Sequence, residues 1–275
     1  MSEAESNARY IVPGLQRGLQ LLGQFTRDEP ELTGAELSRR LDLPRASVFR
    51  LLQTLEQMGF IERVGDSSNY KLGIAVLRLG FEYLASMELT EHGRPVLDAL
   101  CAATGLSAHL VVRDRREVVF VAKAVGKSSL FNAIQVGARL PAHATVLGRV
   151  LLADLSMAGL SELYVGQSLQ AFTAHTPTTL AQLKKLIEED QSRGFGVSQG
   201  GFESGISTIA APVFNDRHAV TAAVSVTVPA QQVDADSLAA LVNQVKAAAS
   251  RLSQRISHLP PSLAGSPPSS EKTFA

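Results

Sequence analysis

The stretch that decides the N-terminal fold covers residues 33–63, TGAELSRRLDLPRASVFRLLQTLEQMGFIER. Thr33 is a good helix N-cap, and Glu36 follows at the spacing of a capping box, so we expect a helix that ends near Leu41. Pro44 fits the first turn of a second helix. Two short helices joined by so tight a turn predict a helix-turn-helix. The apolar stripe of the second helix consists of Val48, Leu51, Leu52, Leu55 and Met58.

The flanking segments extend this motif to a winged helix-turn-helix over residues 10–72. Upstream, a helix is expected between Pro13 and about Thr26, because four apolar residues recur at helical spacing and would form one face. Downstream, FIERV and NYKLG are short strand-like segments around the polar turn 65–69, which supplies the wing. The four upstream apolar residues are Leu15, Leu19, Leu22 and Phe25.

The side of the second helix away from its apolar stripe carries the polar residues that a DNA major groove requires. An arginine can bind guanine O6 and N7 together, and serine or glutamine can reach base edges or phosphates. The alternative interpretation is a small helical module that contacts other proteins. The predicted DNA-binding residues are Thr33, Arg45, Ser47, Phe49, Arg50, Gln53, Arg63 and Lys71, of which the last two flank the wing.

Charge limits how tightly one copy could bind duplex DNA. Residues 33–72 contain six basic and five acidic side chains. Because the excess is only one positive charge, useful affinity implies a dimer, which doubles the phosphate contacts.

The composition excludes several classes of protein. The 275 residues include 26 basic and 26 acidic side chains and are 45% hydrophobic, which suits one large domain or two ordinary ones. No run approaches the roughly 18 to 20 apolar residues of a membrane span, and the start lacks a signal-peptide pattern, so we expect a cytoplasmic protein without membrane contact. Cys101 is the only cysteine, which excludes a disulfide framework. Neither a metal nor another cofactor is expected.

Residues 73–88 predict a linker helix that also contacts a second subunit. A helix with two apolar faces needs two partners. One partner would be its own domain and the other a second copy of the chain. The two faces are Ile74, Leu77, Phe81 and Leu84 on one side and Val76, Leu79 and Tyr83 on the other.

Residues 89–258 alternate helical segments with antiparallel hairpins, which predicts an α+β domain with helices packed on an antiparallel sheet. Hairpin turns are expected at residues 114–116 and 215–216, and a third strand at 129–136. Helices are expected at 89–104, 143–155 and 179–193, followed by a long closing helix. Residues 259–275 contain four prolines and few large apolar residues, so a disordered tail is predicted.

One segment of this second domain, VGARLPAHATVLGRVLLA at residues 136–153, is a candidate ligand site. It places His143 and Thr145 at the start of a helix that contains Gly148. Free N–H groups in that first turn could bind a carboxylate, with either side chain adding a hydrogen bond. The alternative is that Gly148 serves close packing of the helix, and the sequence does not decide between them.

The segment GVSQG at residues 196–200 matches the nucleophile pattern G-x-S-x-G. A serine hydrolase would use Ser198 with His143 or His175, but the pattern requires a sharp strand-to-helix turn. Because a β-like run follows instead, an enzyme is not expected. A metabolite-binding module that acts through protein partners is a further alternative.

At these residues the chain resembles the IclR (isocitrate lyase regulator) family of bacterial transcription factors. The likeness covers about residues 10–258 and is carried by five segments in the family's order. They are LQRGLQLLGQF (15–25), the helix-turn-helix stretch (32–63), VGARLPAHATVLGRVLLA (136–153), RGFGVSQGGFESGISTIAAPVF (193–214) and AAVSVTVP (222–229).

This resemblance implies a winged helix-turn-helix, a dimerising linker helix and a C-terminal GAF-like domain that binds a small metabolite. Family members assemble as homodimers or homotetramers and act as repressors or activators on double-stranded operator DNA. The expected function is therefore a ligand-responsive regulator of a catabolic operon that senses a small carboxylate, aromatic acids included. The wording RLPAHAT and GRVLLA is closest to the branch that controls aromatic-acid breakdown and responds to protocatechuate or 4-hydroxybenzoate.

The resemblance also implies the residues that line the ligand pocket. Ser225 and Thr227 are supported by strand alternation as well, since both point to the same face. Many relatives carry acidic residues around the position of Ser198 and cysteine or serine at Thr208. With the two candidates from the helix start, the effector-binding set is Ser129, Asn132, His143, Thr145, Val146, Leu147, Ser198, Ile206, Thr208, Ser225 and Thr227.

Overall fold

The computed structural model divides the chain into two compact units, Met1–Ser86 and Met87–Ala275. The residues that it describes are 11–26, 28–86, 88–126, 134–200, 202–203, 205–229 and 235–256. The predicted tail at 259–275 lies outside these residues.

The N-terminal unit contains the winged helix-turn-helix that the sequence predicts. Its sheet has the order β1-β3-β2 with antiparallel neighbours, and Tyr70 of the central strand pairs with both Leu32 and Arg63. The elements in chain order are α1 (Pro13–Leu22), β1 (Leu32–Thr33), α2 (Gly34–Leu41), α3 (Arg45–Gln57), β2 (Ile61–Arg63), β3 (Asn69–Leu72) and α4 (Ile74–Ser86).

A small apolar core fixes α3 against the rest of this unit. The turn between α2 and α3 is closed by Asp42, which adopts the left-handed conformation with φ 51°, and by the Ser38 hydroxyl, which donates to the Leu43 carbonyl. Because Val48 and Leu52 point into the core, the opposite side of α3 faces outward. The core residues are Leu21, Phe25, Leu32, Leu37, Val48, Leu52, Ile61 and Tyr70.

The predicted apolar face of the first helix is buried only in part, since Phe25 lies in the core and Leu22 packs against it. Leu15 and Leu19 are 63% and 61% exposed, whereas Leu21 is fully buried. The run of leucines places apolar side chains on more than one side of the helix, so spacing alone could not choose between them. The helix turns Leu21 inward, and Leu15 and Leu19 are left as an exposed apolar ridge together with Val12.

The predicted capping box at the start of α2 is half present. The Glu36 N–H donates to Thr33 Oγ1 at 3.1 Å, as expected for an N-cap. The Glu36 carboxylate bonds Arg39 and Arg40, because two guanidinium groups lie within reach of it.

The linker helix α4 exposes apolar side chains within a single chain. Ile74 is 75% exposed, and Leu77 and Leu79 are also exposed. Ala75 is buried against the N-terminal unit, where a Cβ at Gly59 would lie 3.7 Å from it.

The C-terminal unit is the predicted antiparallel sheet flanked by helices. The six strands have the order β6-β5-β4-β9-β8-β7. The elements are α5 (Glu88–Thr104), β4 (Ser107–Asp114), β5 (Glu117–Ala124), β6 (Arg139–Pro141), a 3₁₀ turn (Ala142–Ala144), α6 (Val146–Leu151), α7 (Met157–Leu163), α8 (Leu180–Arg193), β7 (Gly196–Gln199), β8 (Ile206–Phe214), β9 (Val220–Pro229) and α9 (Ala235–Ile256).

Helices cover both faces of this sheet. On one face, Gly93 of α5 lies so close to Leu110 that a Cβ there would be 2.5 Å from its Cδ2, and Leu252 of α9 is also nearby. On the other face, α6 and α8 form a second core with Val111, Phe120 and Ala223 of the sheet.

Some local predictions in the second unit were wrong. Residues 134–136 form no strand, and the remainder of the predicted strand at 129–136 lies outside the described residues. The edge strand is Arg139–Pro141, three residues further on. The helix predicted at 143–155 is interrupted at Thr145, whose extended backbone (φ −112°, ψ 147°) separates the 3₁₀ turn from α6. Periodicity did not indicate α7 or β7 because both are very short.

A buried ion pair connects α6 to α8 and β7. Arg149 Nε donates to Asp190 Oδ2 at 2.6 Å, and its Nη2 donates to the Val197 carbonyl at 3.1 Å. Arg193 also donates to the Asp190 carboxylate, at 2.7 Å. Since Arg149 and Asp190 are both buried, each charge depends on the other for its stabilisation.

Replacing Arg149 with Met is expected to destabilise the C-terminal unit by about 3 kcal/mol, because the buried Asp190 carboxylate loses its inner partner. Calorimetric unfolding of the full chain measures the change. Arg251→Met, on the exposed side of α9, is the control and should leave the transition in place. The double variant Arg149→Met/Asp190→Leu should recover most of the loss, and an equally unstable double variant would contradict this account.

Candidate functional site

The outward side of α3 displays the polar residues that the sequence assigns to it. Arg45, Arg50 and Gln53 are exposed, and Phe49 is 56% exposed. Ser47 is half-buried at the start of the helix. Pro44, the N-cap residue, makes no side-chain bond to the first turn, so its side chain satisfies none of the N–H groups at this end. This side of the helix is therefore available to a partner.

Two arginines on this surface differ from the other cations around them. Among the described residues, Arg45 and Arg50 have no ionic partner. The four other basic residues of this region do have one. The pairs are Arg39–Glu36 (2.7 Å), Arg40 with Glu36 and Glu29 (2.6 Å each), Arg63–Glu56 (3.5 Å) and Lys71–Glu62 (3.9 Å).

The cluster on α2 is held together by its own charges. Hydrogen bonds from Arg39 and Arg40 hold the pKa of the Glu36 carboxyl below its usual value. Arg40 lowers the pKa of Glu29 in the same way. Arg40 is therefore already paired with two carboxylates and would have to leave them to bind another anion. Thr33 Oγ1 accepts from the Glu36 N–H, which leaves the hydroxyl proton available to a phosphate.

The cations at the wing are held more loosely. Arg63 and Lys71 contact carboxylates at 3.5 and 3.9 Å on the exposed surface. The Arg63 guanidinium also lies over the Tyr70 ring, 5.2 Å from its centroid. Exposed pairs of this kind contribute little stability, so either cation can exchange its carboxylate for a phosphate oxygen.

The C-terminal unit has a polar sheet face, defined here as two cross-strand rows on the face that α6 and α8 cover. The first row consists of directly opposed residues of four strands, which in an antiparallel sheet point to the same side. Ser198 pairs with Thr208, and Thr208 pairs with Thr227. Thr227 in turn pairs with Ser107. Three of the predicted effector-binding residues are thereby brought side by side.

The second row lies two residues further along each strand and is more deeply buried. His109 pairs with Ser225 on one side and with Lys123 on the other. His109 is 2% exposed and Ser225 is fully buried. Among the described residues, neither His109 Nδ1 nor Ser225 Oγ has a hydrogen-bond partner. Sequence reasoning included Ser225 but missed His109 and Lys123.

The signal for His109 was present in the sequence. Ser107 and His109 alternate with apolar residues in the same way as Ser225 and Thr227, and alternation puts each pair on one face of its strand. What the sequence did not give is the pairing of β4 with β9, which places the two pairs opposite each other.

The environment of His109 keeps its ring uncharged. Burial and, to a smaller extent, the positive charge of Lys123 together lower the pKa of His109 to about 4. The ring meets Phe120 edge-on, with 5.5 Å between centroids. Lys123 Nζ donates to the Ile134 carbonyl and to Gln135 Oε1.

The start of α6 lies against this face, and its polar side chains bond to the protein itself. Thr145 Oγ1 accepts from the Gly148 N–H at 3.1 Å. The His143 Nε2 atom lies 2.9 Å from the Gln170 carbonyl. A Cβ at Gly148 would lie 2.0 Å from the Ala142 carbonyl oxygen, so glycine is needed here for close packing. Packing is thus sufficient to explain this glycine.

The apolar residues of the predicted set lie in three different surroundings. Val146 sits over Gly196 of β7, where a Cβ would be 2.5 Å from Val146 Cγ2. Leu147 is buried in the core that α6 and α8 form with the sheet. Ile206 is half-buried and pairs with Pro229. Ser129 and Asn132 lie outside the described residues.

The position of Ser198 does not fit the nucleophile of the hydrolase alternative. Ser198 lies within β7 and pairs with Thr208 of the next strand, not on a strand-to-helix turn. Within the described ranges, no three His, Cys, Asp or Glu side chains gather into a metal-binding group. None of the helices in the described part of the chain has the length and apolar character of a membrane span.

An open groove of about 470 Å³ lies between residues 171–178 and α8. None of the predicted effector-binding residues is among those that line it. The polar sheet face is the better candidate, because its unpartnered polar atoms are buried whereas the groove is open to solvent.

Two segments of the chain match the domain models of a single protein family. Residues 14–65 match the IclR helix-turn-helix domain. Residues 81–254 match the C-terminal domain of the bacterial transcriptional regulator IclR.

Curated relatives and a solved structure agree with these matches. The chain is 30% identical to the HTH-type transcriptional regulator XynR of Escherichia coli (strain K12), over 90% of this chain and 98% of XynR. It is 31% identical to the Pca regulon regulatory protein of Pseudomonas putida, over 88% of this chain and 82% of that protein. An IclR homolog complexed with 4-hydroxybenzoate, from Microbacterium hydrocarbonoxydans, has the same fold, with a TM-score of 0.75 and 24% identity over 88% of this chain and 98% of that one.

The matched helix-turn-helix domain and regulator C-terminal domain define the class of protein as a transcriptional regulator. The chain belongs to the IclR family of bacterial transcriptional regulators. The resemblance and the expected absence of enzyme activity are confirmed by its relatives, which are named as regulators.

The low pKa of His109 predicts how stability depends on pH. The unfolded chain binds a proton on this histidine near pH 6.5 and the folded chain near pH 4, so stability falls as the pH drops through this interval. The loss should reach about 3 kcal/mol at pH 4. In His109→Gln this part of the acid destabilisation should be absent when urea unfolding is measured between pH 7 and 4. His218→Asn, at an exposed histidine, is the control, and identical pH profiles for wild type and His109→Gln would refute the assignment.

Proposed function

We propose that this protein regulates a catabolic operon by binding operator DNA as a homodimer or homotetramer and responding to a small carboxylate. The DNA would be bound by the outward side of α3 and by the wing. The carboxylate, aromatic acids included, would be bound on the polar sheet face of the other unit. The observation that carries the proposal is the exposed side of α3 with its two arginines.

The DNA-binding role rests on charge that is exposed and not already neutralised. Arg45 and Arg50 have no ionic partner among the described residues, so either can engage guanine or phosphate without breaking an existing pair. Ser47 and Gln53 can add hydrogen bonds, and exposed Phe49 can contact a thymine methyl group. Arg63, Lys71 and Thr33 would contact the backbone and so set the position of the helix.

Assembly into a dimer is supported by apolar surface that a single chain leaves exposed. The ridge of α1 contains Leu15 and Leu19, and α4 exposes Ile74, Leu77 and Leu79. Apolar side chains grouped on two helices are typical of a surface that another protein covers. A second copy is the proposed partner, because one wing domain carries too little net charge to bind DNA tightly alone.

The effector would lie over the polar sheet face beneath α6. Thr227, Thr208 and Ser198 supply a row of hydroxyl groups, and Ser225 lies just behind them. Val146, Leu147 and Ile206 supply apolar surface suited to a carbon skeleton or ring. His143 and Thr145 would shape the wall, since their polar atoms are engaged within the protein. Ser129 and Asn132 belong to the proposed site through the family resemblance alone.

A small acid would act on DNA binding by preferring one arrangement of the protein over another. The size of the response is limited by the difference between its affinities for the two arrangements. The linker helix α4 joins the two units along the chain and is the proposed transmitter.

The first prediction of this function concerns α3. Arg50→Ala should weaken specific DNA binding by about 1 to 3 kcal/mol while leaving the fold intact, because the helix loses a groove contact but no core residue. Fluorescence anisotropy measures this on a fragment that the wild-type protein selects from a random DNA library. Arg251→Ala, on the other unit, should bind that fragment as wild type does. Unchanged affinity in a folded Arg50→Ala protein would reject the groove assignment.

A second prediction concerns the sheet face. Thr227→Val should weaken binding of a small organic acid by about 1 kcal/mol, since one hydroxyl group is lost without a change of shape. The probe is 4-hydroxybenzoate, chosen because a protein of the same fold is complexed with it. The readout is the rise in melting temperature that a ligand causes when it binds the native state.

Thr221→Val is the matched control for this measurement. Thr221 lies on the same strand but donates to the Val213 carbonyl, away from the two polar rows. An equal loss of binding in both variants would contradict the proposed site. Binding of the acid without any salt-dependent binding of DNA would instead indicate a module that acts through protein partners.

A further inference from the structure

The second row of the polar sheet face contains a buried histidine that the proposed function has not used. His109 lies near the centre of the six-stranded sheet, between Lys123 of β5 and Ser225 of β9.

Two polar atoms are left without partners at this place. His109 Nδ1 and Ser225 Oγ belong to directly opposed residues, so both side chains point to the same face of the sheet. Buried polar atoms are almost always hydrogen-bonded in folded proteins. These two atoms lie next to the row of hydroxyl groups. A polar group of a ligand bound there could supply the hydrogen bonds that they lack.

We propose that His109 and Ser225 form an anion subsite that holds the carboxylate of the effector, and that His109 takes up a proton when the carboxylate binds. This proposal rests on the proposed function, because it assumes that the sheet face binds a small acid. It adds the group that recognises the charge and a dependence of binding on pH.

The chemistry of a carboxylate explains why both residues are needed. A carboxylate only accepts hydrogen bonds, so its partners must donate. The Ser225 hydroxyl can donate directly. The His109 ring donates at Nδ1 most strongly when both ring nitrogens carry protons. A negative charge beside the ring favours that protonated form, so a proton from solvent is bound together with the acid.

The groups around His109 agree with this role. Burial, and after it the positive charge of Lys123 on β5, lowers the pKa of the His109 ring. On β9 and β8 the neighbouring polar residues, Ser225, Thr227 and Thr208, are uncharged. Arg149 on α6 is bound to Asp190. A bound carboxylate would therefore add the negative charge that the ring faces.

The test is isothermal titration of the full-length protein with benzoate, 4-hydroxybenzoate, pyruvate and acetate between pH 6 and 8. Titration in two buffers of different ionisation enthalpy reports the number of protons taken up. Benzamide, which has the shape of benzoate but no charge, is the matched ligand. We expect up to one proton taken up per carboxylate bound, and affinity that rises by up to tenfold for each pH unit lowered. Benzamide should show neither effect.

Variants locate the proton. His109→Gln should weaken binding of the carboxylates at least tenfold and abolish proton uptake, and Ser225→Ala should weaken binding while proton uptake persists. His218→Asn, at an exposed histidine, should match the wild type. Cooperative thermal unfolding of each variant, followed by circular dichroism, reports that it has folded. If His109→Gln does not fold, proton uptake by the wild-type protein still tests the coupling.

The outcomes separate this inference from the function on which it rests. Equal binding by wild type and His109→Gln, or binding by wild type without proton uptake, would overturn the subsite and leave the effector role standing. If none of the four acids binds the wild-type protein, the proposed effector class fails and the subsite fails with it.

Discussion

The antiparallel register of β4, β9, β8 and β7 is the constraint on which the proposed site depends. It places Ser107, Thr227, Thr208 and Ser198 opposite one another, and it places His109 opposite Ser225 in the next row. Because side chains alternate between faces, a slip of one residue would turn this polar surface toward α5 and α9. Small residues on the sheet, such as Gly196 beneath Val146, allow α6 to pack closely on this polar face. The buried pair of Arg149 and Asp190 holds α6 in that place.

In the N-terminal unit, the distribution of ion pairs matters more than the number of charges. The unit has nearly equal numbers of acidic and basic residues, which by itself argues against tight DNA binding. Carboxylates pair with Arg39 and Arg40 on α2, whereas Arg45 and Arg50 on α3 have no ionic partner among the described residues. A nearly neutral unit can therefore still present positive charge on the outward side of α3. The assembly of two copies would present this side of α3 twice.

Most of the fold was predictable because its signals are local. Caps, turns and periodicity indicated α2, α3, the wing, α8 and the hairpins, and the structure confirms them. The errors occur where local signals conflict or are short. The leucine run of α1 is compatible with more than one buried face, and Thr145 interrupts a helix that periodicity would continue. Five strand residues of the candidate effector site were named from the resemblance. His109 was missed because its alternation with apolar residues gains a meaning only through the pairing of β4 with β9, which places it opposite Ser225.

The sequence by itself determined the class of protein: a helix-turn-helix with an exposed polar flank, followed by an α+β domain of one family's pattern. Patterns of this kind depend on residues a few positions apart, so they can be found without coordinates. Only the tertiary structure decided which arginines lack ionic partners and that His109 lies beside Ser225. Those facts depend on pairing between segments far apart in the chain, and strand register and side-chain packing, not local propensity, determine that pairing.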